Sequence, residues 1–105
     1  MTEMKKCCEE YMCEQFGGDA DLMAEIYGEY VASVTAKIAE AKAALAAQDR
    51  TTLDRIAHTI KGNALAVGDA EMAETAIALR KTAALGDDDA SAKLIAQLET
   101  FKGQL

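Results

Sequence analysis

Residues 51–68 read TTLDRIAHTIKGNALAVG, and the fold follows from this stretch. Its apolar residues recur at intervals of three and four, which predicts a helix over about 51–67 with one buried face. That face consists of Leu53, Ile56, Ala57, Ile60, Ala64 and Val67. Gly68 predicts the end of the helix, because glycine readily adopts the left-handed conformation of helix C-termini. His58 lies more than a quarter-turn from the centre of the apolar face, so we expect its ring to be exposed.

The same periodicity predicts four further helices on either side of this one. They cover about 3–16, 20–47, 70–85 and the stretch that follows Gly86-Asp87-Asp88-Asp89. Gly17-Gly18 ends the first, and Asp19 or Asp21 is suited to cap the second. The chain has no proline, and no strand pattern appears. Short turns between long amphipathic helices predict one all-α domain over residues 1–105. We expect an up-down antiparallel four-helix bundle with a short additional N-terminal helix across one end.

Composition and charge exclude several classes of function. The 105 residues carry 18 acidic and 11 basic side chains, a net charge of −7, which argues against binding to nucleic acid. No apolar run is long enough to span a bilayer and no signal-peptide pattern opens the chain, so we expect a cytoplasmic protein without a membrane partner. The three cysteines, Cys7, Cys8 and Cys13, are odd in number and lack zinc-site spacing, so we interpret Cys8 as a small apolar residue with two less buried neighbours.

The only histidine has neighbours suited to phosphoryl chemistry. Imidazole is a good nucleophile, and Lys61, at i+3, can offset the charge of a phosphoryl group on the ring. Gly62, at i+4, costs the helix about 1 kcal/mol relative to alanine and makes no visible turn, so its expected use is clearance for a partner protein. Leu65, at i+7, is an apolar residue on the same outward face that can serve docking. Asp54, one turn before His58, would repel a phosphoryl group unless it points away or pairs with Lys61 or Arg55.

At these residues the sequence resembles the histidine phosphotransfer (HPt) family. Residues 57–64, AHTIKGNA, with Gly68 ten residues after the histidine, resemble the signature of that family. Residues 16–19, FGGD, resemble its entry into the second helix, and residues 43–49, AALAAQD, its exit before the histidine helix. Two positions depart from the family: Asn63 stands where serine is usual, and Arg80 stands where an acidic residue is common. We expect the second departure to affect only the surface contacts of the fourth helix.

The resemblance implies a phosphorelay intermediate in a two-component system. His58 would accept a phosphoryl group from a receiver aspartyl-phosphate and pass it to another receiver, Lys61 would stabilise its charge, and Gly62 would leave room for the receiver loops. We expect Leu65, Asn63 and Asp54 to contribute to docking. The partners would be response-regulator receiver domains and a hybrid histidine kinase, the chain a monomer, and the magnesium ion part of the receiver, so that this domain needs no cofactor.

The chain lacks a phosphate-cradling Gly-x-x-x-x-Gly-Lys loop and a kinase signature, so we expect a covalent phosphoryl carrier and not an enzyme with an ATP site.

Two other functions compete with that of a phosphoryl carrier. A helical interaction module with an inert His58 is the main alternative. A metal-binding bundle is less favoured, because the paired Glu-x-x-His motifs of di-iron bundles are missing.

Overall fold

The computed structural model describes residues 4–105, which form five α-helices and no strand. The helices are α1 (Lys6–Phe16), α2 (Ala20–Ala46), α3 (Arg50–Ala66), α4 (Ala70–Leu85) and α5 (Asp88–Gly103). The predicted helical bundle is confirmed, and the boundaries of α2, α3 and α4 lie within one residue of those expected from periodicity. The first helix, expected over about 3–16, begins later, at Lys6: Met4 and Lys5 are not helical, and residue 3 lies outside the described residues.

One kind of turn joins all five helices. In each, a residue with positive φ is followed directly by an aspartate whose carboxylate accepts a hydrogen bond from the backbone N–H three residues later. The four pairs are Gly18-Asp19, Gln48-Asp49, Gly68-Asp69 and Gly86-Asp87. The left-handed residue ends one helix and the aspartate caps the next. Because these turns are so short, consecutive helices fold back against each other.

Helices α2 to α5 enclose one apolar core. Contacts follow the ring order α2, α3, α4, α5 and back to α2, while α1 packs against α2. The long α2 sets the 42 Å dimension of the molecule. All six residues of the predicted α3 face are buried. Phe16, which we placed on the apolar stripe of α1, is instead 36% exposed, because it is the last residue of its helix.

No helix within residues 4–105 combines the length and the apolar character needed to cross a membrane.

Helix α1 closes the end of the bundle at the α3–α4 turn. Gly68 has φ +75°, and a Cβ atom there would lie 2.3 Å from Cβ of Tyr11, so only glycine lets α1 approach this turn. Beside it, the fully buried Asp69 accepts hydrogen bonds from Lys5 Nζ at 2.6 Å and from the Tyr30 hydroxyl at 2.7 Å. The Tyr27 hydroxyl accepts from the backbone N–H of Lys5 at 3.1 Å. This network joins the segment before α1 to α2 and to the start of α4.

Burial and the neighbouring Asp69 carboxylate raise the pKa of Tyr30 above its ordinary value of 10.0, because both disfavour the phenolate. The pKa of Lys5 is also raised: burial opposes its charged form, but the hydrogen bond and charge of Asp69 outweigh that effect. Both groups therefore hold their protons more tightly in the folded chain. The stability that they contribute is present below about pH 10 and is lost as the pH rises above it.

Tyr30→Phe should make the alkaline loss of stability shallower. The wild-type free energy of unfolding should fall above about pH 10, and removal of one titrating group should reduce that slope by up to about 1.4 kcal/mol per pH unit. At neutral pH the variant should be less stable by about 1–3 kcal/mol, since Asp69 loses a buried hydrogen-bond donor. Urea unfolding of both proteins between neutral and strongly alkaline pH measures both effects. Equal slopes would contradict the assignment of the buried phenol to this network.

Candidate functional site

The register of α3 places His58 on the surface of the bundle. Ala57, the residue before it, has no exposed surface, and Ile56 and Ile60 are buried on either side. One helical step of about 100° from Ala57 carries His58 out of the core. The imidazole is exposed, as predicted from the apolar stripe.

An arginine from α4 binds the His58 ring, a contact that helical periodicity did not predict. Arg80 Nε donates to Asp54 Oδ1 at 2.9 Å, and Arg80 Nη1 lies 3.1 Å from His58 Nδ1. A guanidinium has donors and no acceptor, so Nδ1 accepts this hydrogen bond. In this arrangement the ring is neutral and its proton is on Nε2.

Two expectations about these residues were wrong. Asp54 pairs with Arg80 on the neighbouring helix, and neither Lys61 nor Arg55 is its partner. The expectation that Arg80 affects only the surface contacts of α4 is also wrong, because Arg80 reaches the histidine itself. The signal was present in the sequence: His58 lies ten residues before Gly68 and Arg80 twelve after it, so an antiparallel pair of helices brings them side by side.

Small side chains let α3 and α4 approach each other closely enough for this contact. The two helices pack along their length, and three of the six side chains buried on α4 are alanines. They are Ala73, Ala76 and Ala83, and Ala57 faces the core from α3. Alanine keeps the helix axes close, so that a long arginine side chain at the edge of α4 spans to α3.

The groove between α3 and α4 is basic, although the chain as a whole is acidic. Four cationic side chains line it: Arg50, Lys61, Arg80 and Lys81. Asp54 is the one acid among the lining residues, and it is occupied by Arg80. Arg50 also pairs with Asp88 at 3.1 Å. In a chain of net charge −7, this local excess of positive charge favours an anionic group beside His58.

The remaining predicted site residues divide between the surface and the helix interface. Gly62 is exposed, and a Cβ atom there would meet nothing within 4 Å. Leu65 is 52% exposed, and Lys61 is half-buried along the groove. Asn63 turns the other way: its Nδ2 donates to Ser33 Oγ of α2 at 2.8 Å. Its amide therefore contributes to the packing of α3 on α2, and its expected role in docking stays a prediction.

The cysteines follow the interpretation made from the sequence. Cys8 is buried, Cys7 is half-buried and Cys13 is exposed. Burial, followed by the charge of Asp69, raises the pKa of the Cys8 thiol to about 12, which keeps it protonated and inert. Within residues 4–105, no group of three or more His, Cys, Asp and Glu side chains is arranged to hold a metal ion.

Comparison with known proteins adds one finding. Residues 25–105 match the family model described as Hpt domain, which covers α3, α4, α5 and most of α2. No curated protein and no solved structure matches the chain.

Proposed function

This chain belongs to the Hpt domain family, and we propose on that premise that His58 carries a phosphoryl group between receiver domains of a two-component phosphorelay. Hpt domains are phosphocarrier modules of two-component signalling that interact with receiver domains and kinases. The observation that carries the proposal is the position of His58. The single histidine of the chain is exposed on α3, beside a basic groove on an acidic domain.

The phosphoryl group bonds to Nε2 of His58. Arg80 occupies Nδ1 on the side of the ring that faces α4, so Nε2 is the nitrogen left for a partner. Transfer is in line between an aspartate oxygen of the receiver and Nε2, with the receiver supplying the magnesium ion. Lys61 borders the groove on the same helix, and its ammonium offsets the charge of the phosphoryl oxygens. The domain itself needs no cofactor for this step.

The receiver docks on the outward face of α3. The open space above Gly62 lets its loops approach the ring, and the half-exposed Leu65 supplies an apolar contact one turn further along. Asp54 and Asn63 flank this face, where each is already tied to a neighbouring helix. A small apolar contact with a charged surround suits a partner that binds and leaves repeatedly. We propose that the chain acts as a cytoplasmic monomer between receivers and a hybrid histidine kinase.

One observation favours the alternative, an interaction module without phosphotransfer. The hydrogen bond from Arg80 puts the ring proton on Nε2, where a nucleophile needs a lone pair. A histidine permanently held in this way would be inert, and the same face would serve docking alone. Phosphorylation of His58 distinguishes the two functions.

His58→Gln should abolish labelling of the chain by phosphorylated receivers. Wild-type protein incubated with a panel of labelled receivers should acquire an acid-labile, alkali-stable phosphoryl group, and the variant should show background only. Its helicity and melting temperature should stay unchanged, because the ring it removes is exposed. Undiminished labelling of the folded variant would rule out His58 as the acceptor. Absence of labelling of the wild type by every receiver tested would favour the interaction module.

Substitutions at Gly62 should separate stability from transfer. Gly62→Ala should raise the free energy of unfolding by about 0.5–1 kcal/mol, since alanine is the better helix former and no atom obstructs its methyl group. Gly62→Leu should reduce the transfer rate to near background by blocking the receiver. Gly28 is the matched control, because it is also exposed, helical and free of neighbours within 4 Å. Gly28→Ala and Gly28→Leu should leave transfer unchanged. A wild-type transfer rate in Gly62→Leu would contradict the proposal that Gly62 leaves room for the receiver.

Lys61 and Leu65 should affect different steps. Lys61→Ala should slow transfer by roughly tenfold or more with little change in receiver affinity, because it removes a charge that acts on the phosphoryl group. Leu65→Ala should weaken receiver binding by about 1–2 kcal/mol. Leu22→Ala removes a leucine that is 39% exposed near the start of α2, away from His58, and should change neither quantity. Calorimetric titration measures the receiver affinity of each variant, and single-turnover transfer measures its rate. Equal effects of Lys61→Ala and Leu65→Ala on both affinity and rate would refute this division of roles.

A further inference from the structure

The contact between Arg80 and His58 fixes which ring nitrogen carries the proton. Arg80 Nη1 lies 3.1 Å from Nδ1, and a guanidinium can only donate. Nδ1 must therefore present its lone pair to Arg80, and the neutral ring must carry its proton on Nε2. The nitrogen that faces a partner is thus the one without a free lone pair.

Asp54 holds the arginine in this position. Its Oδ1 accepts from Arg80 Nε at 2.9 Å, so the guanidinium is held by an acid on α3 while its other end reaches the ring on the same helix. Asp54 lies one helical turn before His58 on the same side of α3, so one guanidinium can contact both side chains. The side chains of Arg80 and Asp54 are 38% and 41% exposed. Such pairs are weak enough to open and close without unfolding.

We propose that Arg80 is a latch on His58, one that must release Nδ1 before a phosphoryl group can enter or leave the ring. This inference rests on the proposed phosphotransfer and adds a positioning residue to it. In the accepting direction, Nε2 needs a lone pair, so the ring proton must first lie on Nδ1. The N–P bond then forms as the P–O bond of the receiver aspartyl-phosphate breaks, and the aspartate leaves with the electron pair as a carboxylate.

The same latch closes on the product. Directly after transfer the ring is an imidazolium with its proton on Nδ1. Loss of that proton to water leaves a neutral phosphohistidine whose Nδ1 again has a lone pair, which Arg80 can bind as before. Passing the group onward requires the proton to return to Nδ1, so that a neutral imidazole leaves from phosphorus. Arg80 thus opposes the reactive state in both directions and lengthens the life of the phosphorylated chain.

An acceptor in place of Arg80 would have the opposite effect. A carboxylate or amide oxygen beside Nδ1 would accept its proton and leave the Nε2 lone pair free. The latch therefore depends on the arginine side chain at position 80 and not on the packing of α3 against α4.

Arg80→Ala and Arg80→Gln test the latch with two readouts. Long-range proton–nitrogen spectra of the His58 ring in mildly alkaline buffer report the tautomer without any receiver. Wild type should show the proton mainly on Nε2, and both variants should shift toward Nδ1 by about tenfold in the tautomer ratio, or about 1.4 kcal/mol. The phosphorylated variants, freed from the receiver, should also lose their phosphoryl group about tenfold faster. Asp54→Asn should move both quantities in the same direction by releasing Arg80.

Arg55 supplies the control, as an exposed arginine on α3 within one turn of His58. Arg55→Ala and Arg55→Gln remove the same charge and should change neither the tautomer ratio nor the phosphoryl lifetime. A wild-type ring protonated mainly on Nδ1, or unchanged lifetimes in the Arg80 variants, would overturn the latch and leave the phosphotransfer intact. Failure of every variant and of wild type to accept a phosphoryl group would overturn both.

Discussion

The burial of Ala57 in the core is the constraint on which the site depends. A side chain without any exposed surface leaves α3 no freedom to rotate about its axis, because rotation would drive the larger side chains of Ile56 and Ile60 into the neighbouring helices. Because this packing fixes the rotation of α3, the side chain of His58 points out of the bundle. The alanines buried on α4 then let that helix approach closely enough for Arg80 to reach the ring. Exposure of the nucleophile and access of its arginine partner therefore have one cause in the core.

Electrostatics at the site differ from those of the whole domain. The chain carries a net charge of −7, yet four cationic side chains and one acidic side chain line the groove beside His58. That acid pairs with Arg80, so a second anion beside the ring would meet mainly positive charge. The acidic remainder of the surface keeps this field local to the groove, which suits recognition of one phosphoryl group better than general attraction to anions.

Periodicity was enough to predict most of the fold and the exposure of His58. Both depend on the spacing of apolar and polar residues within a single helix, which can be read directly from the sequence. The contacts of Asp54 and Asn63 could not be read in that way, since each is made to a different helix. Within α3, Arg55 and Lys61 are the partners that the sequence suggests for Asp54, whereas the distance between α3 and α4 decides that Arg80 is its partner. Gln48, with φ 57°, shows the same limit, because its turn needs a left-handed residue that composition alone would assign to glycine or asparagine.

We propose above all that Nε2 of His58 is the atom that carries phosphorus. Because the chain has one histidine, an isotope-labelled sample phosphorylated by a receiver gives a single ring to observe. We expect the Nε2 resonance to show direct coupling to phosphorus, with Nδ1 still accepting a hydrogen bond from Arg80. Coupling on Nδ1, or stable phosphorylation that leaves both ring nitrogens unchanged, would contradict the account.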